Sequence, residues 1–300
     1  MSLIQCNGLT KQYGDKLALD NVSFKIESGQ PVALVGPNGA GKTTLFNLLC
    51  GFISPTLGDL KILGDCVSST KNLGKLSALP QDSLLDPAIE IRKQFIFIGQ
   101  LQGLSKHQAQ IEAERVLEMV DLTDVIREKP TALSHGMGKR VSIAQSLIGN
   151  PQIVLLDEPT AGIDPANAKK IRSIIQEQQN NTNFIVSSHN LDELEKLCDR
   201  VLYLEHGKLK QSLTLTEESH ETSYISLSLQ NVDMGELISK LNSLSGINRV
   251  EAISNNELGI HCSDNNNYQY EIEIMQLLAE NDWKYKSIAR GKTLEDRLFS

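Results

Sequence analysis

The stretch PVALVGPNGAGKTTLFNLLCG, residues 31–51, decides the fold. Its first five residues form a short apolar run suited to a buried parallel strand. Its last part, LFNLLC, has the apolar character of a packed helix closed by Gly51. Between them Gly36 to Thr43 fits G-x-x-x-x-G-K-[ST] without a gap. Glycines let a backbone bend closely around phosphates, and the N–H groups and dipole at a helix start favour negative charge. Lys42 adds a point charge toward the outer phosphates, and Thr43 offers a hydroxyl to Mg²⁺. Gly36, Pro37, Asn38, Gly39, Ala40, Gly41, Lys42, Thr43 and Thr44 are therefore the nucleotide-binding candidates. A dinucleotide site is excluded, because the pattern is not G-x-G-x-x-G and a lysine stands at the phosphate position. The expectation is a P-loop nucleoside triphosphatase of α/β class.

A second stretch repeats the logic. In PQIVLLDEPTAGIDP, residues 151–165, the apolar strand Ile153 to Leu156 is followed at once by Asp157 and Glu158. Carboxylates leaving the end of a buried parallel strand emerge where ligands bind in such sheets. Asp157 suits a hold on Mg²⁺, and Glu158 a base that polarises the attacking water. An Asp-Glu pair capping a following helix is the alternative. Farther on, FIVSSHNLDELEKLCD offers a third short strand, then His189, then an amphipathic helix with Leu191, Leu194 and Leu197. A histidine after a strand expected beside the other two is a candidate phosphate contact.

The rest of the composition narrows the class. No apolar run approaches the roughly 20 residues that span a bilayer, and the N-terminus lacks a basic region followed by an apolar core, so neither a membrane span nor a secretory leader is expected. Five cysteines form no CxxC pair, which fits unpaired thiols in a reducing compartment. The formal charge of −8 lies mostly after Thr216, where 14 acidic residues face 7 basic ones. Such a surface does not suit nucleic acid, whose phosphates demand Lys and Arg. With Asn, Ser and Glu abundant there, a boundary is expected near TLTEESHETS, residues 214–223, dividing the chain into 1–215 and 216–300.

Together these residues resemble the nucleotide-binding subunit of an ATP-binding-cassette (ABC) transporter, over about Leu3 to Lys210. By that resemblance Tyr13, in TKQYGDKLALDNVSFKI, matches the aromatic residue that stacks on adenine. Gln81, in LPQD, resembles the glutamine that reaches Mg²⁺ and links the core to a helical subdomain, here about 82–140. Asp164, in GIDP, resembles the D-loop aspartate, and His189 the switch histidine near the γ-phosphate. The resemblance implies two subunits closing head-to-tail over two ATP molecules, each held between one chain's phosphate loop and the other's signature. It implies ATP and Mg²⁺ as cofactors and hydrolysis as the activity. The partners it implies are a separately encoded transmembrane permease and a second copy of the chain or a related cassette. The place is then the cytoplasmic face of the cell membrane.

The stretch LSHGMGKR, Leu133 to Arg140, is similar to the family's signature LSGGQ with two changes. Ser134 and Gly136, which face the partner's γ-phosphate in the family, are present. The first glycine has become His135. If that position needs a left-handed backbone, a side chain costs roughly 1–2 kcal/mol; if Ser134 instead N-caps a helix, it costs little. Met137 in place of glutamine removes an amide worth about 0.5–1.5 kcal/mol as one hydrogen bond. Neither abolishes ATP binding. Signatures of the form LS-x-GM are similar to those of single-cassette exporter subunits.

Between Gln81 and Ser134 two helices are expected, residues 87–104 and 105–122, with a capping box at Ser105 and Gln108. The apolar run Phe95 to Ile98 would either line a groove for a permease helix or pack the subdomain core. After Thr222 the pattern reads strand, helix, strand, strand, helix, strand, a small ferredoxin-like α+β layer. The closing KTLEDRLFS, residues 292–300, resembles a short C-terminal motif of the exporter branch. Three other readings compete: a ribosome-acting cassette protein, a chromosome or repair cassette, and a nonhydrolytic regulatory partner. The first normally carries two phosphate loops, and the second needs a long coiled coil that the 92 residues from Lys42 to Ser134 do not hold. The third has only the altered signature in its favour.

Overall fold

The computed structural model describes residues 2–81, 83, 85–214, 224–230, 232–263, 270–292 and 294–299. The chain divides into two compact units, Met1–Leu213 and Thr214–Ser300. Most of the boundary stretch TLTEESHETS, and parts of the closing KTLEDRLFS, lie outside the described residues.

The first unit holds two sheets. One is antiparallel, in the order β2-β1-β4-β5, from β1 (Ser2–Tyr13), β2 (Lys16–Glu27), β4 (Leu57–Ile62) and β5 (Asp65–Cys66). The alternation in β2, where Val22, Phe24 and Ile26 are buried between exposed neighbours, marks one wet and one dry face. The other sheet has the order β10-β9-β3-β8-β7-β6. Its members are β3 (Val32–Val35), β6 (Leu76–Leu79), β7 (Ile153–Asp157), β8 (Asn183–Ser187), β9 (Arg200–Glu205) and β10 (Lys208–Thr214). The pairs β3–β8, β3–β9, β7–β8 and β6–β7 are parallel. Parallel strands covered on both faces need continuous apolar runs rather than alternation, and β3 is buried at all four positions.

One apolar core joins the two sheets through α1 (Lys42–Leu49), whose Leu45, Phe46, Leu48 and Leu49 pack among residues of β1, β2, β3, β4, β7 and β9. The expected helical region forms α2 (Ile91–Leu101) and α3 (Lys106–Glu118). Helix α2 begins at Ile91 rather than at residue 87, because residues 87–90 form a turn held by Gln94, whose side chain donates to the carbonyls of Asp86 and Ile89. The capping box of α3 is complete, with Ser105 and Gln108 satisfying each other's backbone N–H groups. The apolar run divides by helical geometry: Phe95 is fully buried, and Phe97 is 60% exposed. Three more helices follow: α4 (His135–Ser146), α5 (Pro165–Gln178) and α6 (Leu191–Glu195). Helix α5 buries Ala168, Ile171, Ile174 and Ile175, a stripe at helical spacing.

In the second unit β11 (Tyr224–Gln230), β12 (Ile247–Ser254), β13 (Glu257–Cys262) and β14 (Lys284–Arg290) pair antiparallel in the order β12-β13-β11-β14. Helices α7 (Met234–Leu241) and α8 (Tyr270–Glu280) pack Leu237, Leu241, Ile274 and Leu278 against Ile225, Leu227, Leu258 and Ile260. This unit has its own core.

Candidate functional site

The phosphate loop leaves the buried end of β3 and enters α1 with Gly41 in a left-handed backbone, φ 105°. Two of its glycines are required by close approach. A Cβ on Gly36 would stand 2.1 Å from the Leu204 carbonyl oxygen, and one on Gly41 would stand 2.7 Å from that of Ala18. The ends of β9 and β2 thus clamp the loop from outside. Lys42 Nζ donates to the carbonyls of Gly36 at 2.5 Å and Pro37 at 3.2 Å. Partial burial lowers its pKa, opposed by the carboxylates of Glu158 and Asp157 nearby.

A cavity of about 430 Å³ opens over this loop. Asn38, Gly39, Gly41, Lys42, Thr43 and Thr44 form its floor, and Gln81, Asp157 and Glu158 stand on its wall. The strand order explains the meeting: β8 lies between β3 and β7, so the ends of all three strands converge at one edge. Asp157 at the end of β7 pairs with Ser187 at the end of β8. The Ser187 hydroxyl donates to Asp157 Oδ1. The Glu158 backbone N–H donates to both Ser187 oxygens, 3.0 Å to Oγ and 3.1 Å to the carbonyl.

Glu158 is a buried carboxylate on a left-handed backbone, φ 51°, uncommon for a residue with a side chain. Its Oε2 accepts from His189 Nδ1 at 2.8 Å, and the imidazole is otherwise mostly exposed. A carboxylate held in this way, beside a lysine and a threonine hydroxyl on a phosphate-type loop, is equipped to activate water next to a bound polyphosphate.

The remaining candidates lie apart from this cavity. Tyr13 ends β1 and is 47% exposed, with Lys11 Nζ 5.0 Å above its ring. Beyond it, Lys16, Leu17 and Ala18 reach the cavity lining. Ser134 and His135 line a second cavity of about 310 Å³ with Lys139. Gln81 borders both cavities, and its carbonyl accepts from Lys139 Nζ at 2.9 Å. The question at His135 is decided by geometry: Ser134 N-caps α4, its Oγ accepting from the Met137 N–H at 3.3 Å, and His135 is the first helical residue. No left-handed backbone is needed there. Gly136 is buried, and a Cβ on it would fall 2.3 Å from Asn167 Nδ2. Asn167 in turn donates to Asp164 Oδ2 at 2.7 Å. Asp164 N-caps α5, and the Asn167 amide together with the N–H groups of Asn167 and Ala166 holds its carboxyl below the usual range.

Three contributors were not legible as such in the sequence: Ser187, Asn167 and His206. The only signal for Ser187 was its position two residues before His189 at a strand end. His206 and Gly207, both with positive φ, turn β9 into β10. Gly207 N–H donates to the Ala40 carbonyl at 3.0 Å, and His206 lines the phosphate-loop cavity.

Residues 19–161 match the family described as ABC transporter. The linearmycin resistance ATP-binding protein LnrL of Bacillus subtilis (strain 168) is 30% identical over 285 residues, covering 93% of this chain and 90% of that protein. The chain belongs to the ABC transporter ATP-binding family. The Nod factor export ATP-binding protein I of Rhizobium sp. (strain N33) is 34% identical to this ABC cassette, over 68% of each. Among solved structures, the cassette MJ0796, in a dimeric post-hydrolysis state bound to ADP and Pi, matches with TM-score 0.64 and 25% identity, over 71% of this chain and 99% of that one. An ATP-binding subunit of an ABC transporter matches with TM-score 0.66 and 24% identity, over 80% and 100%. The first unit is thus a P-loop ATPase of the ABC type, an ATP-binding and ATP-hydrolysing transporter subunit of a kind that dimerises and works with membrane components. Among the described residues no helix is long and apolar enough to cross a membrane.

Proposed function

We propose that this ABC cassette drives an exporter, as a peripheral subunit on the inner face of the cell membrane, bound to a separately encoded permease and paired with a second copy or a related cassette. The relative named for Nod factor export supports the direction. One observation carries the hydrolytic reading: Glu158, in contact with His189, faces the same cavity as Lys42 and Thr43.

In this reading Lys42 and the loop from Gly36 to Thr44 hold the β- and γ-phosphates. Glu158 polarises the attacking water, and His189 orients Glu158 and meets the γ-phosphate. Thr43, Asp157 and Gln81 are the candidate Mg²⁺ ligands. They supply a hydroxyl, a carboxylate and an amide on one cavity, few and hard donors that fit a cation taking most of its shell from phosphates and water. The metal would neutralise charge on the transferring phosphate. Tyr13 is the adenine platform, and Ser134, Gly136 and Asp164 serve the partner chain's nucleotide. The second unit, Thr214–Ser300, is an accessory domain of ferredoxin-like order.

The test is ATP turnover by the purified chain over a range of protein concentrations, with and without the co-expressed permease. Turnover rising more steeply than protein concentration supports two chains completing each other's sites. Turnover strictly proportional to concentration, from a protein that stays monomeric with ATP, overturns the head-to-tail scheme.

A further inference from the structure

The Glu193 carboxylate is shared between two other elements. Its Oε2 accepts from Thr160 Oγ1 at 2.6 Å, and its Oε1 accepts from Arg172 Nη1 at 2.9 Å. The side chains of Arg172 and Glu193 are 21% and 20% exposed, so the pair is shielded from most solvent competition. Thr160 follows Glu158 by two residues, in a turn where Glu158 and Gly162 both have positive φ. Glu193 follows His189 by four, in a helix of five residues capped by Asn190, whose Oδ1 accepts from the Glu193 N–H at 3.3 Å.

The turn is irregular and the helix only five residues long, and neither has the length to hold its own shape. Arg172, by contrast, sits on α5 (Pro165–Gln178), a 14-residue helix anchored by Ile171, Ile174 and Ile175. A cavity of about 460 Å³ lies between the segments, bordered by Glu158, Thr160, Arg172, His189 and Glu193. Water therefore reaches their gap, and the bonds from Glu193 to Thr160 and Arg172 bridge its two sides.

We propose that Glu193 is a positioning residue for the Glu158–His189 pair: it locks the turn after β7 and the start of α6 onto α5, so that base and histidine keep one spacing. The inference rests on the reading of Glu158 and His189 as the hydrolytic pair. It assigns to Glu193 no contact with nucleotide.

Three variants of the full chain test it: Glu193→Gln, which keeps the shape and an acceptor for Thr160 but loses the charge facing Arg172; Thr160→Val, which removes the hydroxyl; and Thr160→Ser, which restores it. The first readout is hydrogen exchange in peptides covering 158–164 and 189–195. Glu193→Gln and Thr160→Val each speed exchange in both segments, and Thr160→Ser returns both to wild type. The second is steady-state kinetics, where the first two variants lower kcat about tenfold, a partial loss of the roughly 10²–10⁴-fold that a positioned proton-transfer group supplies, with KM for ATP within about twofold. Exchange that rises only in the substituted segment, or kcat unchanged in both variants, overturns the proposal. A fall in the unfolding midpoint with kcat and KM worsening together would make Glu193 merely structural and overturns it equally. Glu158→Gln run in parallel separates the two levels: if it hydrolyses ATP normally, the hydrolytic reading itself fails, whatever the exchange data say of the linkage.

Discussion

His189 Nδ1 and Glu158 Oε2 stand 2.8 Å apart across 31 residues of sequence. A histidine that holds a buried carboxylate toward a phosphate cavity makes that carboxylate the group to remove. Glu158→Gln is expected to lower ATP turnover by about 10²–10⁴-fold, while nucleotide affinity is kept and an ATP-bound dimer accumulates. Phosphate release assays and gel filtration with ATP check both halves. A variant with near-normal turnover would discard Glu158 as the base.

Lys42 is the cation on the loop, and its ammonium rests on the Gly36 and Pro37 carbonyls. Losing a hydrogen bond from a charged group costs about 1.5–3 kcal/mol, roughly 10- to 150-fold in affinity. Lys42→Ala is expected to remove binding of a fluorescent ATP analogue at micromolar concentration with the fold intact. Undiminished binding would take Lys42 out of its role.

The signature makes a prediction that runs against family resemblance. Because His135 is an ordinary first helical residue under the Ser134 cap, His135→Gly, which restores the commoner residue, is expected to cost a few tenths of a kcal/mol of stability and leave turnover within about twofold of wild type. Ser134→Ala is expected to cost about 0.5–2 kcal/mol through the lost cap and to depress turnover as well. Thermal unfolding and kinetics on the two variants separate these outcomes.

Gly36→Ala tests the clamp on the phosphate loop. Its Cβ would meet a backbone oxygen, that of Leu204, at 2.1 Å, and backbone cannot swing aside as a long side chain does. The expected destabilisation is about 1–3 kcal/mol or more, with loss of ATP binding, read as a lower unfolding midpoint that ATP no longer raises.

The second unit carries an acid-sensitive link. Arg290 donates through Nε and Nη2 to the two oxygens of Glu271, and this holds the Glu271 carboxyl below the usual carboxylate range. A carboxyl whose folded pKa is depressed contributes its full stabilisation above its unfolded value and loses it as pH falls through the lowered folded value. Stability of this unit is thus expected to be flat near neutrality and to fall on the acid side. Glu271→Gln should flatten that slope while lowering stability modestly at pH 7. Denaturant unfolding at pH 7 and at pH 3–4 checks the sign.

Much of this was legible in the residues. The phosphate loop, the strand running into Asp157 and Glu158, and the histidine after a third strand all follow from short apolar runs ended by chemistry-bearing residues. The capping box at Ser105 was written in four residues, because capping is local. Glu193, Asn167 and His206 were not legible, because each acts across a distance set by the order of strands and helices rather than by spacing along the chain. In sequence, Glu193 is one acid in LDELE; only the placement of α6 against the turn after β7 brings it to Thr160 and Arg172. Phe97 shows the same limit, since an apolar run on a helix does not say which of its members faces out.

The in-register pairing of Asp157 with Ser187 has a bearing on how this protein comes into being. Successive side chains of a strand point to opposite faces, so a slip of β8 by one residue would turn Ser187 away from Asp157 and carry His189 off Glu158. The reactive centre is therefore assembled by the same alignment that completes the sheet. A chain caught with β8 misaligned would be catalytically silent rather than slow, so ATPase activity during refolding could not appear before this one strand has closed.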